Sequence, residues 1–303
     1  MLDYLPSYLG LYDNGQLYER IEALNAILEN CTLCPRKCRV NRLNDDAGYC
    51  KAGARAMVSS YFPHFGEESP LVGRHGSGTI FFSHCNLRCV FCQNYEISHL
   101  GEGEEVDASG LAEMMISLQD QGCHNINLVS PTHYVPQIVE ALPEVIEKGL
   151  NVPIVFNCSG YESVETLELL NGIVDIYMPD VKFADENLSE KYLNARDYFS
   201  VLKRSLLEMF RQVGELKTDS NDIAVRGMII RHLVMLETAD DSSKILNYIA
   251  QYISRDSYVN IMKQYRPCYR ADEYPEINSR VSDDAFSAVL RAADVAGLKR
   301  IYG

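Results

Sequence analysis

Three cysteines stand within eight residues directly behind an apolar, β-branched and aromatic run. The run is Thr79-Ile80-Phe81-Phe82, a composition that predicts a buried strand. Behind it Cys85, Cys89 and Cys92 are spaced C-x3-C-x2-C, with Phe91 just before the third. Three thiolates on one short loop can hold three irons of a cubane cluster, where the usual ferredoxin complement is four cysteines. The missing fourth thiolate leaves one iron open to a small molecule. The competing reading is a structural zinc loop. Zinc wants a fourth protein ligand, which His84 or His99 would supply.

A second cysteine group lies upstream. Cys31, Cys34, Cys38 and Cys50 form C-x2-C-x3-C-x11-C in a segment that Pro35 and Gly48 keep from regular structure. The spacing predicts either a tetrahedral four-thiolate zinc site or a second iron–sulfur cluster. Zinc is preferred, because a closed site orders a loop-rich module without redox chemistry. The neighbouring Arg36, Lys37, Arg39 and Arg42 read as a solvated face, with neutralisation of thiolate charge as the other reading. The chain has 28 Lys and Arg against 42 Asp and Glu, a net charge of −14, which argues against a nucleic-acid partner. No apolar run approaches the roughly 20 residues of a membrane span. No basic residue precedes Arg20 and no signal-peptide core is present, so the expected location is cytoplasmic. In that compartment ten cysteines point to metal or redox chemistry rather than to disulfides.

After the cysteine loop the pattern alternates between strands and helices, the signature of parallel βα units. Helices are predicted over 107–121, capped by Asp107 and closed by Gly122, and over 135–146, kinked or split at Pro143. Further helices are predicted over 164–170, over one long region 186–213, over 245–252, and after a capping Ser282. Strands are predicted over 125–129, 152–156, 174–178, 224–235 and 258–264. Upstream, a packing helix is expected to end near residue 28, and 51–77 reads as an irregular connector over the barrel. The division is then 1–77, carrying the helix, the cysteine module and the connector, and 78–303, carrying the barrel. Six βα units are too few for the eight of a closed barrel. The expected fold class is α/β, an open partial (β/α)6 barrel with a small N-terminal cysteine-rich module. In such architectures the site lies at the carboxyl ends of the strands.

With Cys85, Cys89, Cys92, Phe91 and the preceding strand, the chain resembles the radical S-adenosylmethionine (radical SAM) superfamily. Its nearest likeness is a branch related to pyruvate formate-lyase activating enzyme, through CNLRCVFCQN and the Ser130-Pro131-Thr132-His133 strand end. The resemblance covers almost the whole chain. It implies a 4Fe–4S cluster whose fourth iron is chelated by the amino and carboxylate groups of S-adenosylmethionine, and reductive release of a 5′-deoxyadenosyl radical. It also implies an electron donor of flavodoxin or ferredoxin type and hydrogen abstraction from a substrate, with a protein as the favoured case and a glycyl-radical partner as one form of it. A small-molecule substrate and a non-catalytic iron–sulfur carrier are the alternatives. The superfamily commonly places Gly-Gly-Glu where Ser130 and Thr132 stand here, so these two are the candidate replacements for contacts to the cofactor's amino group. Met178-x-Asp180-x-Lys182 looks like the activase run that holds a monovalent cation beside the cofactor carboxylate. Asn157, Arg231 and Gln264, at three other strand ends, complete the candidate cofactor-binding set. Arg226 and Arg231 differ by five positions and so face opposite ways on a strand; Arg231, nearer the carboxyl end, is the one expected inside. His133 is a candidate substrate base, with a bland loop histidine as the equal alternative.

Overall fold

The computed structural model describes residues 4–44 and 46–303. Two helices open it, α1 (Ser7–Asp13) and α2 (Gln16–Ile27), followed by the loop-rich cysteine module. Next come β1 (Ala56–His64), α3 (Ser69–Val72), β2 (Ser77–Phe82), β3 (Glu104–Val106) and α4 (Ala108–Asp120). The alternation continues with β4 (Ile126–Val129), α5 (Val135–Glu147), β5 (Ile154–Cys158), α6 (Val164–Leu169) and β6 (Ile176–Pro179). It ends with α7 (Glu186–Leu193), α8 (Tyr198–Val213), β7 (Lys217–Thr218), β8 (Ala224–Leu233), α9 (Asp240–Tyr248), β9 (Tyr258–Met262), α10 (Asp283–Ala296) and β10 (Arg300–Tyr302).

The strands form one sheet in the order β10-β9-β8-β6-β5-β4-β2-β1-β3, with β7 pairing antiparallel to β8. From β2 to β10 neighbours run parallel, whereas β1 and β3 are antiparallel. The path ends at β3 and β10 without joining them, so the barrel is open. Side chains of a strand alternate between two faces, and both faces are used. Ile80, Phe82, Leu128, Phe156, Tyr177, Ile230 and Ile261 pack with the helices in one core. Val155, Ile176, Met178, Ile229 and Tyr258 form a second core with Leu71, Leu216 and Ala224, the floor of the barrel's concave side. Two apolar faces on parallel strands are what helices outside and a filled interior require.

Several expectations need correction. The 51–77 segment is not irregular: it contains the nine-residue β1, paired with β2 from Val58 to His64, so the sheet begins inside it. Val58, Tyr61 and Phe62 carry the β-branched and aromatic character that favours this. The 186–213 region is two helices, broken where Asn194 adopts a left-handed φ of 54°. α5 runs on through Pro143 without a split. β10 is an additional parallel strand beside β9. Asp107 and Ser282 cap their helices as expected, accepting from the Gly110 and Ala285 amides. No helix among the described residues is long and apolar enough to cross a membrane.

Candidate active site

The cysteine loop leaves β2 with His84 in a left-handed turn, φ 69°. Phe91 then buries itself edge-on against Phe183 and Tyr265, at 6.1 and 6.3 Å between ring centroids, which pins the third turn of the loop. The Leu87 amide points at the Cys85 sulfur at 3.4 Å, and the Cys92 sulfur lies 3.1 Å from the Ser98 hydroxyl. The His99 ring sits 3.1 Å from the Cys89 carbonyl.

Cys85, Cys89 and Cys92 form one wall of a cavity of about 460 Å³ at the carboxyl ends of the strands. Facing them are Ser130, Asn157, Asp180, Lys182, Arg231 and Gln264, drawn from five different strand ends. Period-two alternation explains why they converge. Asn157, Asp180 and Arg231 each lie two residues beyond a floor residue, Val155, Met178 and Ile229 respectively. The floor is apolar and the mouth is polar on the same inward face.

The polar groups are cross-linked. Arg231 donates through Nε to Asp180 Oδ1 at 2.8 Å and through Nη2 to Asn157 Oδ1 at 2.8 Å. Its Nη1 reaches Glu67 Oε2 at 3.3 Å, and Lys182 Nζ donates to Asp180 Oδ2 at 3.1 Å. Burial alone would raise the Asp180 carboxyl, but Arg231 and Lys182 outweigh it and hold it below its ordinary value. Burial likewise opposes charge on Lys182, yet Asp180 and then Cys89 push it up to about 12. Both cations are therefore charged at neutral pH.

Thr132 and Met178 do not line the cavity. Thr132 is buried behind it and donates to Glu162 Oε1 at 2.9 Å, and the Met178 side chain is part of the floor. His133 is fully enclosed, its ring nitrogen 2.8 Å from the Ser83 carbonyl, and burial pushes its pKa down to about 3. That leaves it no access to a substrate. Arg226 faces the other end of the barrel and donates to Ser7 Oγ and the Gln212 carbonyl. Glu67, His64 and Phe81 line the cavity but were not anticipated. Glu67 follows β1, so only recognition of that strand would have placed it; in an acidic chain one further glutamate carries no signal.

The family model described as the radical SAM superfamily matches residues 79–225. An uncharacterized protein of Methanocaldococcus jannaschii, MJ0674, is 34% identical over 293 residues, which is 93% of this chain and 80% of that protein. The chain belongs to the radical SAM superfamily. Solved structures with a similar fold include the maturase of the [FeFe]-hydrogenase, HydG, with TM-score 0.49 and 13% identity, covering 71% of this chain and 47% of that one. Streptococcus suis SuiB bound to precursor peptide SuiA gives TM-score 0.45 and 13% identity, over 66% of this chain and 40% of that one. The chain thus spans less than half the length of either.

Membership of the radical SAM superfamily implies a 4Fe–4S cluster and S-adenosylmethionine, and the cavity fits both. Burial pushes the Cys85 thiol up to about 11 and the Cys89 thiol further, so cysteinate at these positions calls for strong cationic partners such as iron. Among the described residues no three His, Cys, Asp or Glu side chains meet at the spacing of one metal ion. A cubane does not ask for that, because it distributes three thiolates over three irons. For the cofactor, the Ser159 hydroxyl is buried in the cavity lining without a hydrogen-bond partner. Ser130 holds the tight turn usually made by glycine, at φ 56°, with its amide bonded to the Asn157 carbonyl at 2.9 Å.

Proposed function

We propose that this radical SAM enzyme abstracts a hydrogen atom from a protein substrate, in the manner of a glycyl-radical activase. The observation that carries the catalytic part is the shared cavity: three cysteines on one wall and the Arg231–Asp180–Lys182 network on the other. Cys85, Cys89 and Cys92 would hold the cluster, and Lys182 and Arg231 would receive the cofactor carboxylate. Asp180 and Glu67 keep the Arg231 guanidinium aimed, while Asn157, Ser130, Ser159 and Gln264 offer hydrogen bonds to the amino group, ribose or adenine. When bound and reduced, the cluster and cofactor supply a 5′-deoxyadenosyl radical. The chain's part is to orient the cofactor against the cysteine loop and keep its carboxylate fixed.

A protein substrate is supported by room and access. A cavity of about 460 Å³ lies at the small end of the roughly 300–1,000 Å³ range of single-ligand sites. The cofactor would occupy most of it. The open edges of the sheet then favour a substrate that inserts a thin segment from outside, and an electron donor of flavodoxin or ferredoxin type completes the cycle.

The test is anaerobic reconstitution with S-adenosylmethionine and a strong reductant. The wild-type protein should form 5′-deoxyadenosine, and Cys85→Ala, Cys89→Ala and Cys92→Ala should each abolish it. Retained cleavage in any one of these variants would remove the assignment of the cluster to this loop.

A further inference from the structure

Arg42 is the largest fully buried side chain of the molecule, only 1% exposed. Its guanidinium donates to the Gly53 carbonyl at 2.6 and 3.0 Å and to the His133 carbonyl at 2.7 Å. Among the described residues no carboxylate pairs with it. Carbonyl dipoles satisfy its hydrogens but leave a full positive charge in a low-dielectric interior, which calls for an anion. What Arg42 faces is an enclosed cavity lined by Cys31, Cys34, Cys38 and Cys50.

Backbone amides reach three of the four sulfurs, although burial pushes the Cys34 and Cys50 thiols up. The Tyr49 amide donates to the Cys38 sulfur at 3.3 Å, and the Arg36 and Ala52 amides point at the sulfurs of Cys34 and Cys50. Lys37 directly before Cys38, Arg39 directly after it and Lys51 directly after Cys50 hold left-handed φ of 42°, 58° and 61°. Non-glycine residues keep such angles only where the surroundings over-determine them.

The same module grips the radical-cluster loop from behind. Arg36 Nε donates to the Asn86 carbonyl at 3.0 Å, between Cys85 and Leu87. Arg88, next to Cys89, donates to the Tyr49 carbonyl at 2.9 Å, next to Cys50. The Arg36 guanidinium stacks 3.9 Å over the Tyr49 ring. A third path runs from Arg42 to the His133 carbonyl and from the His133 ring to the Ser83 carbonyl, two residues before Cys85.

We infer that Cys31, Cys34, Cys38 and Cys50 hold a four-thiolate metal centre with Arg42 as its buried countercharge, and that this centre positions the Cys85–Cys92 loop through Arg36 and Arg88. Zinc with four thiolates and a 4Fe–4S cluster in its oxidised resting form both carry charge −2, so either answers Arg42. The four sulfurs surround the cavity rather than meeting at single-ion spacing, and metal analysis separates the two forms. Arg36, Arg42 and Arg88 are positioning residues; of the basic cluster, Arg36 and Arg42 are engaged inside the fold, whereas Lys37 and Arg39 are exposed, as the solvated-face reading has it.

The positioning role rests on the radical-cluster reading above, whereas the metal content does not. Iron and zinc are measured on anaerobically purified full-length protein, alongside the electron paramagnetic resonance signal of the reduced radical cluster. Wild type should carry about eight irons, or about four irons and one zinc, per chain. Cys34→Ala with Cys50→Ala should lose only the second share. Arg36→Ala touches no ligand. It should keep every metal yet weaken S-adenosylmethionine binding about tenfold and shift the cofactor-induced change in the resonance signal, and Arg36→Lys should restore part of it. Four irons and nothing further in wild type would refute the metal centre, even if cofactor cleavage is normal. An Arg36→Ala variant with wild-type affinity and spectrum would refute the positioning role.

Discussion

Asp180 accepts from two cations at once, 2.8 Å from Arg231 and 3.1 Å from Lys182, and the Arg231 guanidinium bridges on to Asn157 and Glu67. Removing one member of a buried charge network leaves the others unpaired, which costs more than the pair contributed. Asp180→Ala should therefore let Arg231 swing toward Glu67 and weaken S-adenosylmethionine binding by about tenfold, about 1.4 kcal/mol, with iron content unchanged. Calorimetric titration of the reconstituted variant checks this, and wild-type affinity would reduce the network to a structural pair. Behind the cavity, Glu162 is 3% exposed with Thr132 as its hydrogen-bond donor, and burial pushes it up to about 7. A carboxyl raised from 4.5 to about 7 on folding corresponds to about 3 kcal/mol. Because the folded value is the higher one, that stability is present below about pH 4.5 and lost as pH rises through about 7. Glu162→Gln keeps an acceptor for Thr132 and removes the charge. Its melting temperature should exceed wild type at pH 8 and approach it at pH 5; a difference independent of pH would contradict the buried-charge account.

Among the elements, β1 changes the picture most. Its pairing with β2 covers an edge that the βα pattern alone leaves bare, and it delivers His64 and Glu67 to the cavity. Gly103 shows how closely the next strand approaches: a Cβ there would stand 2.4 Å from the Ser83 hydroxyl and 2.8 Å from the Val58 carbonyl. The caps were legible because they are local. Asp107 accepts from the Gly110 amide at 2.9 Å at the start of α4, whose Leu111, Met115 and Leu118 are buried. Losing such a cap costs about 1 kcal/mol. Asp107→Ala should lower the unfolding free energy by that amount, read as a shift of the denaturant midpoint, with no change in 5′-deoxyadenosine formation, since α4 lies outside the cavity lining. A changed turnover would mean that α4 is coupled to the site.

For the whole molecule, the decisive property is an open sheet whose ends, β3 and β10, do not meet. The proposed protein substrate predicts that deuterium from a labelled protein partner appears in 5′-deoxyadenosine. Transfer from a purified small metabolite with no protein present, well above the uncoupled rate, would overturn it. At the other end of the barrel the segment from Tyr4 to Ser7 is tied in: the Tyr4 hydroxyl and the Ser7 amide donate to Asp175 Oδ1 at 2.5 and 2.9 Å, and the Ile154 amide to Oδ2 at 3.0 Å. Arg226, the partner that period-two alternation turned away from the cavity, reinforces this closure through Ser7.

The amino-acid sequence by itself determined the superfamily, the alternating architecture and the strand ends from which a site is built. Those signals are local: cysteine spacing, apolar periodicity, capping residues and the two-residue period that sends Asn157, Asp180 and Arg231 to one face. Tertiary structure alone decided that Arg231 bridges Asp180, Asn157 and Glu67, because those contacts span 51, 74 and 164 residues of chain. It also buried the Thr132 and His133 side chains behind the cavity and set the Met178 side chain in its floor, since position at a strand end does not say which way a side chain turns. The role of Arg42 was likewise invisible in one dimension, where a basic residue among basic residues reads as surface. Only the packed interior, with four thiols and no carboxylate among its described neighbours, shows a charge that needs an anion.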